Sequence, residues 1–270
     1  MYSSYQIGSV SFEESSKWLA KGKEIEQENL ARVRKPLASF LGKLGEVDAS
    51  KMMQEWFAEF SPDVFISHSR ADKDFALMLT GWLHGEFGLS SFVDSCAWGH
   101  ASDLLRQLDN AYCKTGESTF SYSRSTITAS HVHLMLATAL TQMIDRSECV
   151  FFLSTKNSLK PISVERMAQS EDEQFTQSPW LFHELSMLRL VRRREKDAHR
   201  PGKVKKADFS EARANVPTFN YPVILDDLLS LDADDLNRWR TSWSSPHGFN
   251  DHALDHLYRA KPTGLTSILE

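Results

Sequence analysis

Beyond residue 60 the chain alternates between short apolar runs and longer stretches whose apolar residues recur every three or four positions. Val64-Phe-Ile66, set between Ser61-Pro62 and Ser67, predicts a strand buried on both faces. Phe75, Ala76, Leu79, Trp82 and Leu83 form one stripe of a helix over Asp72–Leu83. Leu89–Val93 reads as a second strand, Ser95–His100 as a loop, and Ser102–Tyr112 as a helix. Lys114–Ser125, rich in Ser, Thr and Gly, reads as a surface excursion, followed by a helix over Ala129–Ile144. Cys149-Val-Phe-Phe-Leu153 is the strongest strand signal in the chain. After a polar connection over Asn157–Gln177, a helix is expected from Pro179 to about Arg194. Tyr221-Pro-Val-Ile-Leu225 predicts a fourth strand, with no clear fifth after it, and helices follow over Asp232–Trp243 and Asn250–Arg259.

Residues 1–60 have a different character. Trp18, Leu19, Ile25 and Leu30 sit among Lys, Glu and Gln in an uneven helical stripe from Phe12 to Val33. Pro36 breaks it, Gly42 and Gly45 mark a loose turn, and Met52, Met53, Trp56, Phe57 and Phe60 crowd one side of a shorter amphipathic piece. This predicts a helical N-terminal appendage over 1–60 and an α/β domain over 61–270. Alternating strand and helix implies a flavodoxin-like parallel sheet of four to five strands with helices on both faces. Ligands of such sheets collect at the carboxyl ends of the strands, where strand order reverses. Ser67–Asp72, Asp94–Gly99 and Ser154–Asn157 all leave strands at that end.

Composition narrows the class. At 270 residues with 41% hydrophobic content the chain can bury a substantial core. A net charge of −5 argues against a general nucleic-acid binder. The basic run Arg189, Arg192–Arg194, Lys196, Arg200, Lys203, Lys205 and Lys206 has almost no aromatic interleaving and reads as a solvated face. Three cysteines without paired spacing suit a reducing compartment, and no segment approaches a membrane span; the expectation is a cytoplasmic protein.

Glu184 is the foremost candidate for chemistry. Ser178 is a good N-cap and Pro179 fits the first helical position, which fixes the helix phase. Trp180 and Glu184 then share one face, while Leu181, Leu185 and Leu188 face the sheet. The carboxylate is expected at the edge of the buried face beside an indole, partly desolvated, with a raised pKa. In Ser67-His68-Ser69-Arg70-Ala71-Asp72, Arg70 can bind phosphate in bidentate fashion or stay solvated, and Ser67 or Ser69 can donate hydroxyls. Asp72 reads as the cap of the next helix, and His68 as a packing residue. Trp98 can stack on a ligand ring or bury against a neighbouring subunit, and Gly99 permits backbone conformations closed to other residues. His131 and His133 point apart on a helix and cannot share a metal, and no metal site is expected. Gly-x-Gly-x-x-Gly, P-loop and Gly-x-Ser-x-Gly patterns do not occur.

These segments resemble the Toll/interleukin-1 receptor (TIR) family in its bacterial NAD-cleaving form. Asp63-Val-Phe-Ile-Ser67 is similar to the family's first box. Val93-Asp94 through Gly99 is similar to its second strand and BB loop. Ser178-Pro-Trp-Leu-Phe-His-Glu184-Leu is similar to the segment with the catalytic glutamate. The resemblance covers about Ser61–Arg259. It implies an NAD+ nucleosidase or cyclase with NAD+ as substrate and no cofactor. Glu184 would contact the nicotinamide ribose, and Trp180 and Trp98 would line the pocket. Arg70 and Ser69 would sit near the diphosphate or the ring, with Ser67, Asp94 and Gly99 completing the substrate site. It further implies homo-oligomers through TIR–TIR contacts, a role in antiviral defence, and a downstream effector that senses the nucleotide product. The competing expectation is a non-catalytic TIR scaffold for signalling assemblies. A receiver-like phosphoacceptor would need clustered acids after the first strand, which Asp72 alone does not supply.

Overall fold

The computed structural model describes residues 1–30, 61–93, 95–161, 174–200, 221–245, 248 and 251–262. Eight strands are present among them: β1 (Ser3–Ile7), β2 (Val64–Ser67), β3 (Ser91–Val93), β4 (Cys149–Leu153), β5 (Lys160–Pro161), β6 (Gln174–Thr176), β7 (Tyr221–Val223) and β8 (Leu229–Leu231). The helices are α1 (Ser15–Leu30), α2 (Lys73–Phe87), α3 (Ser95–Leu108), α4 (Tyr122–Arg146), α5 (Pro179–Leu190), α6 (Ala233–Ser244) and α7 (Ala253–Ala260).

Five strands form one parallel sheet in the order β3-β2-β4-β1-β8. The first three places follow the flavodoxin-like order, and the fourth is taken by β1, from the opposite end of the sequence. Chain direction explains the layers. The β1–α1–β2 and β2–α2–β3 units both step toward the β3 edge, so right-handed crossovers put α1 and α2 on one face. The β3-to-β4 and β4-to-β8 connections step the other way, and their helices α3, α4 and α5 pack on one another. β2 and β4 are therefore neighbours whose chains depart to opposite faces, the place at which sheets of this kind form a crevice at their carboxyl ends.

The strand signals arise from burial on both faces. Every residue of β2 and β4 is buried, which is why Val64–Ile66 and Cys149–Leu153 read as unbroken apolar runs. On one face the core is aromatic. Trp239 of α6 is fully enclosed, stacks on Phe87 with ring centroids 4.0 Å apart, and meets Trp82 and Phe151 edge-on. Its indole N–H donates to the Ala253 carbonyl at 2.8 Å, so its polar atom is satisfied inside the core. α1 and α2 cross in close backbone contact. A Cβ on Gly22 would overlap the Leu77 carbonyl, and one on Gly81 the Trp18 carbonyl. Lys73 and Glu26 bridge the same two helices at 2.5 Å. α2 ends at Gly88, whose left-handed backbone (φ 67°) lets the chain turn into β3.

Several expectations change. The described part of 1–60 is not a separate helical appendage. Ser3–Ile7 is an interior strand between β4 and β8, and α1 packs along α2. Residues 31–60, with the expected second amphipathic piece, lie outside the described residues. The fourth strand exists, but β7 belongs to a separate antiparallel sheet of order β5-β6-β7. Pro222 offers no N–H to a ladder, and β7 is an edge strand there. The remaining places in the main sheet go to β1 and to β8, a short fifth strand after Leu225. Ser95–His100 is the start of α3 rather than a loop. The excursion after Lys114 is exposed and closed by a Lys114–Phe120 bridge, with α4 beginning at Tyr122. Among the described residues no helix is long and apolar enough to cross a membrane.

Candidate functional site

Two sequence segments 117 residues apart meet at the carboxyl end of β2 through one hydrogen bond. The Ser67 hydroxyl donates to Glu184 Oε2 at 2.7 Å. Ser67 is the last residue of β2, so its side chain stands where the strand opens into the crevice beside β4. Glu184 is brought there by the start of α5. The Leu181 N–H donates to the Ser178 hydroxyl at 3.3 Å and Pro179 occupies the first turn, as the sequence predicts. Leu181, Leu185 and Leu188 are buried on the inner face, and Glu184 lies among them. Its burial is complete, at 0% exposure, rather than the partial burial expected at the edge of the stripe.

The neighbours of this pair are polar and enclosed. His68 is fully buried, and burial pulls its imidazole down to about 4 against an upward pull from Glu184 and Asp72. The ring is therefore neutral near pH 7, as suits a packing residue, and it lies within electrostatic range of both carboxylates. Asp72 does not cap α2 with its side chain. It spans the crevice instead, accepting from Thr155 Oγ1 at 2.6 Å and from Asn157 Nδ2 at 2.7 Å. The Thr155 N–H in turn donates to the Ser158 hydroxyl at 2.8 Å, and that hydroxyl donates to the Leu153 carbonyl at 2.7 Å, so the turn after β4 is held rigidly.

The other candidates gather less closely. Ser69 is buried, with extended backbone, and its carbonyl accepts from the Asp72 N–H at 2.8 Å. Arg70 is exposed on the short 3-10 turn Arg70–Asp72 and makes no hydrogen bond or ion pair with the described residues, so it belongs to the outer rim of this end. Trp180 is partly buried, with its ring edge-on to His133 of α4 at 5.7 Å. Trp98 and Gly99 lie within α3; the helical backbone at Gly99 calls for no glycine-only conformation. Asp94 lies outside the described residues. In the basic stretch, Arg200 and Lys196 are not a solvated face. Arg200 donates from Nε and Nη2 to the two carboxylate oxygens of Glu148, at 2.7 and 2.6 Å, and Lys196 donates to Asp255 at 2.7 Å.

Sequence reasoning passed over Thr155 and Asn157 as individual residues, although Ser154–Asn157 stood at the right strand end. Polar residues directly after the strongest strand were the available signal. A Ser–His–Asp trio also lies elsewhere, with Ser242 Oγ 2.7 Å from His256 Nδ1. Its Asp251 is 3.8 Å from the other ring nitrogen, too far for a hydrogen bond. Ser242 sits within α6, where helix bonds occupy the backbone N–H groups that an oxyanion would need. That trio ties α6 to α7 and is not a hydrolase site.

This end of the sheet thus holds a carboxylate with a hydroxyl donor, a neutral imidazole, and a cross-braced aspartate, and at its rim a guanidinium with no ion pair among the described residues. Such a set can orient a polar ligand and set one negative charge against a cation that develops during reaction. No family model matches the chain, and neither a curated protein nor a solved structure matches it significantly.

Proposed function

We propose that this chain is a TIR-type NAD+ nucleosidase or ADP-ribosyl cyclase in which Glu184 is the catalytic residue. The observation that carries the reading is the 2.7 Å bond between Ser67 and Glu184, which joins the two sequence segments at a strand-end crevice. In the reaction, the bond between ribose C1′ and the nicotinamide nitrogen breaks, and its electron pair leaves with nicotinamide, which becomes neutral. The sugar is left oxocarbenium-like. The Glu184 carboxylate offsets that charge, and either water or an atom of the same nucleotide forms the new bond at C1′. Water yields ADP-ribose and releases a proton; internal attack yields a cyclic or rearranged product. Because the leaving group departs neutral, one carboxylate suffices and the catalysis is orientation and charge stabilisation.

Arg70 and Ser69 hold the diphosphate end in this reading, and Trp180 and Trp98 flank the base. Asp94 and Gly99 complete the substrate side. The protein works in the cytoplasm as a homo-oligomer through TIR–TIR contacts, and its nucleotide product acts in antiphage defence by depleting NAD+ or by engaging an effector. Glu184 is fully enclosed in the present conformation, so turnover requires the Ser67 contact to part and admit the ribose. The same enclosure favours a second reading, a non-catalytic TIR scaffold in which Ser67 and Glu184 only tie α5 to the sheet.

The test is incubation of the concentrated protein with NAD+ and chromatography for nicotinamide, with Glu184→Gln alongside. Release by the wild type and its loss in the variant support the enzyme. Equal release by both removes Glu184 from the mechanism, and no release under crowded conditions leaves the scaffold.

A further inference from the structure

A cavity of about 140 Å³ opens between the segment after β1, α2, and the first two turns of α6, apart from the Ser67–Glu184 cluster. Ala233, Leu236, Asn237 and Arg240 line it from one stripe of α6. The inner wall is apolar: Trp82 and Leu236 are each 3% exposed, and the Phe12 ring lies 5.1 Å from the Trp82 ring. Ser11, Glu13, Asn237 and Arg240 supply the polar side.

Two opposite charges stand together over that apolar wall. Arg240 Nη1 lies 3.5 Å from Glu13 Oε2, its one ion-pair contact among the described residues. The Asn237 amide and the Ser11 hydroxyl make no side-chain hydrogen bond with described residues. Glu13 is largely exposed, so the pair is weakly held and opens at little cost. The start of α6 is ill suited to a second anion. In the Asp232–Asp235 capping box the Asp235 N–H donates to Asp232 Oδ1 at 2.8 Å and the Asp232 N–H to Asp235 Oδ2 at 3.1 Å, and these acids repel a phosphate. What remains is a guanidinium fork suited to a carboxylate, a carboxylate suited to an ammonium, and an apolar wall. The volume falls below the roughly 300 Å³ of drug-sized sites, which excludes a dinucleotide.

We propose that this cavity binds a free α-amino acid with an aliphatic or aromatic side chain. Its carboxylate replaces Glu13 on Arg240 and takes the Asn237 amide. Its ammonium meets Glu13 and the Ser11 hydroxyl, and its side chain lies against Trp82, Phe12 and Leu236. The inference stands independently of NAD+ cleavage.

The test is calorimetric titration of the full chain with L-leucine and L-phenylalanine. Glycine, 4-methylpentanoate and isopentylamine serve as probes that lack the side chain, the ammonium and the carboxylate in turn. At least one of the two amino acids binds saturably, and each truncated probe binds at least about tenfold more weakly. Arg240→Met weakens the amino acid by about tenfold or more, whereas Glu13→Gln weakens it similarly and leaves 4-methylpentanoate as it was or tighter. Thermal melting of both variants checks that they are folded, as expected for side chains at the surface. The proposal is overturned if neither amino acid saturates by about 10 mM, if either folded variant binds like the wild type, or if a truncated probe binds as well.

Discussion

Two glutamates are enclosed at opposite ends of the same sheet, and their surroundings differ. Glu148, just before β4, is 1% exposed. Arg200 meets both of its oxygens, and the Tyr258 hydroxyl donates to Oε1 at 3.1 Å. Arg200 also reaches Asp255 at 3.1 Å, so the amino pole is a network of full charges. Glu184, at the carboxyl pole, is 0% exposed and accepts from a serine hydroxyl. A hydroxyl brings a hydrogen bond but no counter-charge. Burial alone does not tell the two apart; the charge of the donor does. A guanidinium fork sets a full counter-charge against Glu148, whereas the Ser67 hydroxyl sets only a dipole against Glu184.

The contrast is broken most readily at the amino pole. Arg200→Met leaves Glu148 and Asp255 enclosed without their shared cation, and is expected to destabilise by about 3–5 kcal/mol. Urea titration measures it, and a loss under about 1 kcal/mol would show that the network is ornamental. At the carboxyl pole the opposite profile is expected. Glu184→Gln lowers nicotinamide release by at least about 100-fold, the scale of losing one preorganised electrostatic group, and shifts stability by less than about 1 kcal/mol. A large loss of stability with unchanged turnover would make the two poles alike.

His68 and Asp255 titrate in different pH windows. Burial holds the His68 imidazole near 4, while an unfolded histidine protonates near 6.5. Between those values the unfolded chain binds the extra proton, so stability falls as pH drops from about 6.5 toward 4. At the other pole burial pushes the Asp255 carboxyl up, but hydrogen bonds from Arg200 and Lys196 outweigh it and bring it to about 2. Its contribution is whole above about 3.9 and is lost as pH falls toward 2. His68→Leu is expected to reduce the fall in the upper window, to which the burial-lowered His133, His199 and His252 also contribute, and Asp255→Asn the fall in the lower, each by about 1–3 kcal/mol across its window, read by denaturation at stepped pH. A His68→Leu profile that superimposes on the wild type from pH 6.5 to 4 would remove His68 from the pole's titration. The smallest effect is expected from Asn157→Ala, about 1 kcal/mol, through the loss of one hydrogen bond to the Asp72 carboxylate.

Legibility from sequence followed hydropathy. β4 was readable residue for residue, because Cys149–Leu153 is buried throughout and apolar throughout. The start of α5 was readable because Ser178 and Pro179 fix where it begins, and the phase then places Glu184. β1 was not readable. Ser3 and Ser4 are fully buried yet polar, so Ser-Ser-Tyr-Gln-Ile carries only two apolar positions into the middle of a sheet. β7 misled in the other direction, since Tyr221–Leu225 is apolar enough for a core strand and its Pro222 was the overlooked sign of an edge. The full enclosure of Glu184 depends on Ser67, 117 residues earlier, and no local pattern reports such a contact.

The place of β1 also bears on how the chain assembles. Ser3 pairs with Cys149 and Tyr5 with Leu229, so this strand can dock only after the chain has closed loops of 146 and 224 residues. Until it does, the wholly apolar β4 presents one bare ladder of N–H and C=O groups, an invitation to strand addition by another molecule. A five-residue segment with little hydropathic signature is thus what shields the most aggregation-prone edge during refolding.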